Sequence, residues 1–319
     1  MSGAPSAYAA AWSLLGELLL HGLTEQTLPT VRALPELAGH LSDSFEADEA
    51  AAAHYRLLVL NLFPYASSFL SDEGLLGGAI SDQLLTLYRR YDFDVSREDV
   101  AADHLGLIAL FLAQLATWQH AARHGDEQWL ALQREVVTTQ LLPWLPAFCH
   151  AVQRQAAPFY AALVDLTLQL ALSLLPAEAV VPAPDLPLPV DPLAHERSGL
   201  REIAAFLTHA AQSGLFLSRD DIGRVPHDLD LPRGFGSRAD TLENTMRSAA
   251  QYNALPALVA AWQRLWQGEA AQHAALAAAH PALGAVSATW QARLAHGEAL
   301  LARIAEAERQ MENREWRMG

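Results

Sequence analysis

The sequence predicts an all-α protein, and three observations predict it. Val and Ile together make up only 19 of the 319 residues, so the side chains that fill pleated surfaces are scarce, while the strong helix formers Ala and Leu dominate. Apolar residues recur at intervals of three and four over long stretches. Helix-start signatures, a Ser followed three residues later by an acid, stand at Ser96 and Asp99, Ser218 and Asp221, and Ser237 and Asp240.

In the first half the helical period runs through Tyr8 to Leu20, Ala50 to Phe63, Leu75 to Tyr91, Glu98 to His120 and Asp126 to Leu175. The last of these must be more than one helix. Pro143, Pro146 and Pro158 each remove a backbone donor, which predicts a break near Leu142 to Pro146 and a kink or short loop at Pro158. The Ser96 signature places a helix start near Arg97. The run from Pro176 to Pro192 holds six prolines, which forbid a helix and favour an extended, semi-rigid spacer. We therefore divide the chain into a helical bundle over 1–175, a proline-rich linker over 176–195 and a smaller helical domain over 196–319. Within the smaller domain, a pair of short helices should flank the loop His227 to Gly236. Two Ala-rich helices should follow, separated at His280 and Pro281, and the tail from Glu306 to Arg317 is charged enough to fray.

Composition limits the chemistry. The formal charge is −15, and all 21 bases are Arg. Without Lys there can be no P-loop lysine, Schiff base or kinase strand lysine. A single cysteine, Cys149, permits neither a disulfide framework nor a thiolate zinc site. No stretch reaches the roughly 18 apolar residues of a membrane span, and Met1 to Tyr8 carries no base, so the expected location is the cytoplasm. Acidity is concentrated in residues 1–195, with 22 acids against 8 Arg, whereas 196–319 nearly balance at 14 against 13. That distribution disfavours nucleic acid and favours a basic partner.

Few residue clusters suggest chemistry. Asp103 and His104 fall inside the helix expected from Arg97. There His104 continues a stripe with Val100, Leu107, Phe111 and Leu115 and should be at least half buried, while Asp103 points toward the polar edge. A satisfied core histidine is the plain reading and a catalyst the sharper one, while Asp103 at the polar edge could meet a basic partner. His120 and His124 have two-histidine metal spacing, but Gly125 marks a helix end, where histidines commonly serve the dipole. Asp228 and Asp230 suggest a calcium loop that Pro232 and Arg233 spoil. The segment Pro64 to Ser71, carrying Tyr65, Ser67 and Phe69, is too apolar for an ordinary solvent-facing loop and could wall a peptide groove.

These residues carry a resemblance over positions 50–175. Tyr55 with Leu58, Pro64 with Ser67, Asp103–His104–Leu105, and Phe159 with Tyr160 resemble the Tyr-x-x-Leu-Phe, Pro-x-x-Ser, Asp-His-Leu and late aromatic motifs of the TorD/DmsD (NarJ-like) family of molybdoenzyme maturation chaperones. Val59 stands where the family usually has Phe, and Leu107, Ile108 and Ala109 stand in place of Glu-Leu-Glu. The resemblance implies a TorD-like helical bundle with no catalytic residues, metal or cofactor. It implies binding of the twin-arginine signal peptide, the apo form of a molybdopterin oxidoreductase subunit, or both, delaying export until the cofactor is inserted.

The expected peptide-binding residues are Tyr55, Pro64, Tyr65, Ser67, Phe69, Asp103 and His104. An acidic surface suits a leader defined by two guanidinium groups. Two exposed ion pairs supply only about 0.4 to 2 kcal/mol, whereas micromolar affinity needs about 8, so apolar burial must provide most of the binding. The alternatives are a helical metal-dependent enzyme using His104, His120 and His124, and a regulatory scaffold centred on 196–319. The latter segment lies outside the resemblance and could equally serve a homodimer or client contact.

Overall fold

The computed structural model describes residues 6–71, 76–95, 99–122, 126–195, 198–232 and 234–318, the side chains of 311–318 excepted. Among them there is no strand, only helices and a single antiparallel bridge between Tyr65 and His104. The chain forms two compact units, Met1–Pro184 and Asp185–Gly319, so the division falls inside the proline run.

The first unit is built on helix α1 (Ala7–His21) laid along α7 (Leu105–Ala121). Both are apolar nearly all round, as helices buried in a bundle must be. Two glycines allow the close approach. A Cβ on Gly16 would lie 2.7 Å from the Leu110 side chain, and one on Gly106 would lie 2.9 Å from the Gly16 carbonyl oxygen. Between them come α2 (Leu28–Arg32), α3 (Pro35–Ala38), α4 (Ala47–His54), α5 (Ser67–Leu70) and α6 (Gly78–Arg90). After α4 the helix widens into a π-helical stretch over Tyr55–Asn61. Helix α8 (Asp126–Val136) widens in the same way over Val137–Leu141. Helices α9 (Leu145–Gln153) and α10 (Pro158–Ser173) complete the unit.

The prolines act as the sequence predicts. Residues 142–144 break the helix ahead of Pro146, and Pro158 opens α10 at its first position, where its missing donor costs nothing. Cys149 is buried in α9, where its thiol donates to the Val164 carbonyl at 3.4 Å and burial pushes its pKa well up.

The second unit contains α11 (Leu200–Thr208), α12 (Ala210–Ser213), α13 (Arg219–Asp228), α14 (Arg238–Gln251), α15 (Leu255–Ala279) and α16 (Gly284–Met318). Both predicted capping boxes are present: the Asp221 amide donates to Ser218 Oγ at 2.9 Å and the Asp240 amide to Ser237 Oγ at 3.1 Å, each with the reciprocal bond. Helices α15 and α16 pair as a hairpin through the turn at His280 and Pro281, enclosing Trp262, Trp266 and Leu301. Gly214 ends α12 in the left-handed region, and a Cβ there would collide with the backbone of α16 at Leu294. The charged tail is helical, α16 continuing to Met318, with Glu306 paired to Arg309 at 2.7 Å. The end of the proline run is tied to the second unit. Val190 N donates to Gln212 Oε1 at 2.9 Å, Arg293 donates to the Leu186 carbonyl, and Arg303 grips both oxygens of Asp191 at 2.9 and 3.0 Å.

Candidate functional site

The Pro64 segment and the Asp103–His104 step meet in space as a backbone clamp. Leu105 N donates to the Pro64 carbonyl at 2.8 Å, and Ala66 N donates to the Asp103 carbonyl at 3.1 Å. The Asp103 carboxylate adds a third tie through Oδ2, which accepts from Ser67 N at 2.9 Å. Ser67 Oγ in turn accepts from Gly77 N at 3.0 Å, pinning the turn that precedes α6. From the other side, Tyr88 donates its hydroxyl hydrogen to the Ala102 carbonyl, and Ala102 N donates to Ser81 Oγ, both at 3.0 Å.

This geometry corrects the expected course of the chain. Helix α7 begins at Leu105, eight residues later than the Arg97 start; Ser96 and Arg97 lie outside the described residues. Residues 99–103 form bends and turns because their backbone groups are taken by Ser81, Tyr88 and the Pro64 segment. His104 is therefore the N-cap. Its Nδ1 accepts from Gly106 N at 3.0 Å, the task that Ser or Asp usually performs. Its ring meets the edge of Tyr65 at 4.9 Å and 81°. Burial, reinforced by His54 and His21, lowers its pKa to about 3, so the ring is neutral at physiological pH.

Asp103 does not reach a polar edge, being 0% exposed, and its Oδ1 has no hydrogen-bond partner among the described residues. Burial and the nearby Asp103 charge raise the pKa values of Tyr88 and Tyr65. Phe69 is also fully buried, stacked on Trp144 at 5.6 Å and edge-on to Phe148 at 5.9 Å. Far from walling a groove with its aromatic side chain, the Pro64 segment turns into α5 and plugs Phe69 into the core. Pro64, Ser67, Phe69, Asp103 and His104 are thus the inner scaffold.

Of the expected site residues, Tyr65 is half-buried at the clamp and Tyr55 stands out at 55% exposure. Tyr55 belongs to the π-helical stretch, which also presents Val59 and Leu60 to solvent at 45% and 48%. Wide turns of this kind recur at functional sites, and three large apolar side chains on one exposed stretch are unusual for a surface. His120 closes α7, whereas His124 and Gly125 lie outside the described residues.

A further feature shares only the late aromatic pair with the motifs. A cleft of about 240 Å³ opens where the segment from Leu23 to Phe45 faces α4 and the start of α10. Phe159 and Tyr160, the late aromatic pair, form its base, edge to face at 5.2 Å and 85°. His54 lies beneath, its Nε2 3.1 Å from the Leu19 carbonyl and its ring 6.2 Å from Tyr160. Burial lowers the His54 pKa and pushes the Tyr160 phenol up. The signal available in sequence is the set Leu28, Leu41 and Phe45, apolar residues outside the segments of helical period.

A helical bundle with this clamp matches the family model described as nitrate reductase delta subunit, over residues 24–150, all within the first unit. The chain is 34% identical over 160 residues to the chaperone protein TorD of Vibrio cholerae, spanning 47% of this chain and 72% of that one. It is 28% identical to that of Vibrio vulnificus, over 46% and 74%, and 32% identical to that of Aliivibrio salmonicida, over 31% and 48%. The chain belongs to the TorD-like chaperone family.

Proposed function

We propose that the protein is a non-enzymatic, system-specific chaperone acting in the cytoplasm. It binds the twin-arginine signal peptide of a molybdopterin oxidoreductase, and the apo-subunit behind it, and holds the client from export until the cofactor is in place. The observation that carries this reading is the relationship to proteins named as TorD chaperones. The first unit's chemistry supports it. Its residues 1–184 hold 20 acids against 8 Arg, and it exposes an apolar stretch at Tyr55, Val59 and Leu60. Together they offer charge for a leader's arginines and surface for its oily segment.

Asp103 and His104 act in this scheme as supports. They hold the Pro64 segment against α7 and so fix Tyr65 and the surrounding surface, without themselves meeting the peptide. Calorimetric titration of the full chain with a synthetic twin-arginine leader tests the proposal. Binding should carry a negative heat-capacity change from apolar burial and should weaken as salt is raised. Absence of binding, or binding equally strong to a leader whose two arginines are replaced by Gln, would overturn it.

A further inference from the structure

We propose that the cleft over Phe159 and Tyr160 seats the apolar segment of the client's leader, while Glu46 and Glu49 on its rim face the leader's arginines; this rests on the peptide-binding reading above. The cleft exists because α4 turns its smallest side chains inward. Ala50 and Ala53 leave a space that Phe45, Leu28 and Phe159 border without filling, all of them half-exposed. At about 240 Å³ it is smaller than the roughly 300 to 1,000 Å³ of a small-molecule site, a size suited to one or two anchoring side chains of a longer peptide.

Charge selects the occupant. Between positions 36 and 49 the chain carries Glu36, Asp43, Glu46, Asp48 and Glu49, with His40 and no Arg. Asp48 and Glu49 lie in the first turn of α4 and Glu36 in the first turn of α3, where each complements a helix dipole, but Asp43 stands outside both helices and Glu46, at the N-cap position of α4, makes no side-chain capping bond, so helix ends do not account for the whole set. Glu46 and Glu49 line the cleft and are exposed. An apolar seat whose lining carries carboxylates and no Arg, with Arg32 engaged on the Asp43 carbonyl at 3.4 Å, fits an oily peptide flanked by guanidinium groups, and repels an acidic one.

The base is also packed in place. Tyr160 is held between Phe159 and His54 at the start of α10, where Pro158 fixes the backbone, so little order has to be created on binding.

The test uses the full chain and a fluorescently labelled synthetic peptide with two arginines followed by an apolar stretch, read by anisotropy. Filling the cleft with Ala53→Trp, or more gently with Ala50→Leu, should weaken binding by about tenfold or more while leaving the far-ultraviolet circular dichroism unchanged. The pair Glu46→Arg and Glu49→Arg should weaken it several-fold at low salt and progressively less as salt rises. A photoreactive residue in place of Phe45 should cross-link to the apolar segment of the peptide. Parent-like affinity in both sets of variants, with the peptide still bound, would place the seat elsewhere and leave the chaperone reading standing. Failure of the unaltered protein to bind would remove both.

Discussion

His104 provides the sharpest physical test of the clamp. In the folded protein its pKa is lowered to about 3 by burial, whereas in the unfolded chain it should titrate near the ordinary value of about 6.5. Between those values the unfolded chain binds a proton that the folded chain refuses, so stability is complete above about pH 6.5 and falls as pH drops toward 3. Near pH 5 the loss from this residue alone should be about 2 kcal/mol. His104→Asn retains an oxygen able to cap the Gly106 amide but removes both the titration and the ring contact with Tyr65. The variant should therefore be less stable by about 1 to 2 kcal/mol near pH 7.5, from the lost ring contact and packing. Near pH 5 it should equal or exceed the parent. Urea unfolding at both pH values, following the transition that the substitution moves, measures the crossover. Identical pH dependence in parent and variant would refute the assignment of a buried neutral cap.

Three other expectations concern the frame around that residue. Gly16→Leu should destabilise the first unit by about 1 to 3 kcal/mol, seen as a lowered unfolding midpoint, because its side chain must displace Leu110 or push α1 away from α7. Ser67→Pro removes the amide that Asp103 accepts and leaves a buried carboxylate without its partner, so it should cost about 3 kcal/mol or more; Ser67→Ala, which keeps that amide, should cost much less. Ser218→Ala should cost about 1 kcal/mol through loss of the α13 cap, whereas Asp191→Asn, which weakens a pair exposed on both sides, should change the unfolding midpoint little.

Local rules read much of this fold. The serine caps of α13 and α14, the breaks at Pro146 and Pro158 and the hairpin turn at Pro281 involve only neighbouring residues, and each is legible. The start of α7 is not. Val100, Ala101 and Ala102 extend its apolar pattern backward, and a histidine cap is not among the usual start signals. The π-helical stretches are equally hidden, since a widened turn leaves the apolar residues of Tyr55–Asn61 looking like ordinary helix. The short helices α2 and α3 escape the helical period because each is five residues or fewer and carries a proline in its first two positions, which reads as loop. For the site, motif resemblance brings together residues 36 positions apart, Ser67 and Asp103, which periodicity cannot do. It does not reveal that they face inward. Of the cleft, the sequence offers the aromatic pair and a few apolar residues but not the space itself, because Ala50 and Ala53 line it and a space is defined by side chains that are small.

The burial of Cys149 has a practical consequence. Its thiol is 1% exposed and held in its protonated form, so maleimides and other thiolate-seeking reagents should pass it by under native conditions. A cysteine introduced at an exposed position such as Ser44 would then be the sole reactive thiol on the folded protein without removal of the native one. Spin or dye probes could be attached there one site at a time.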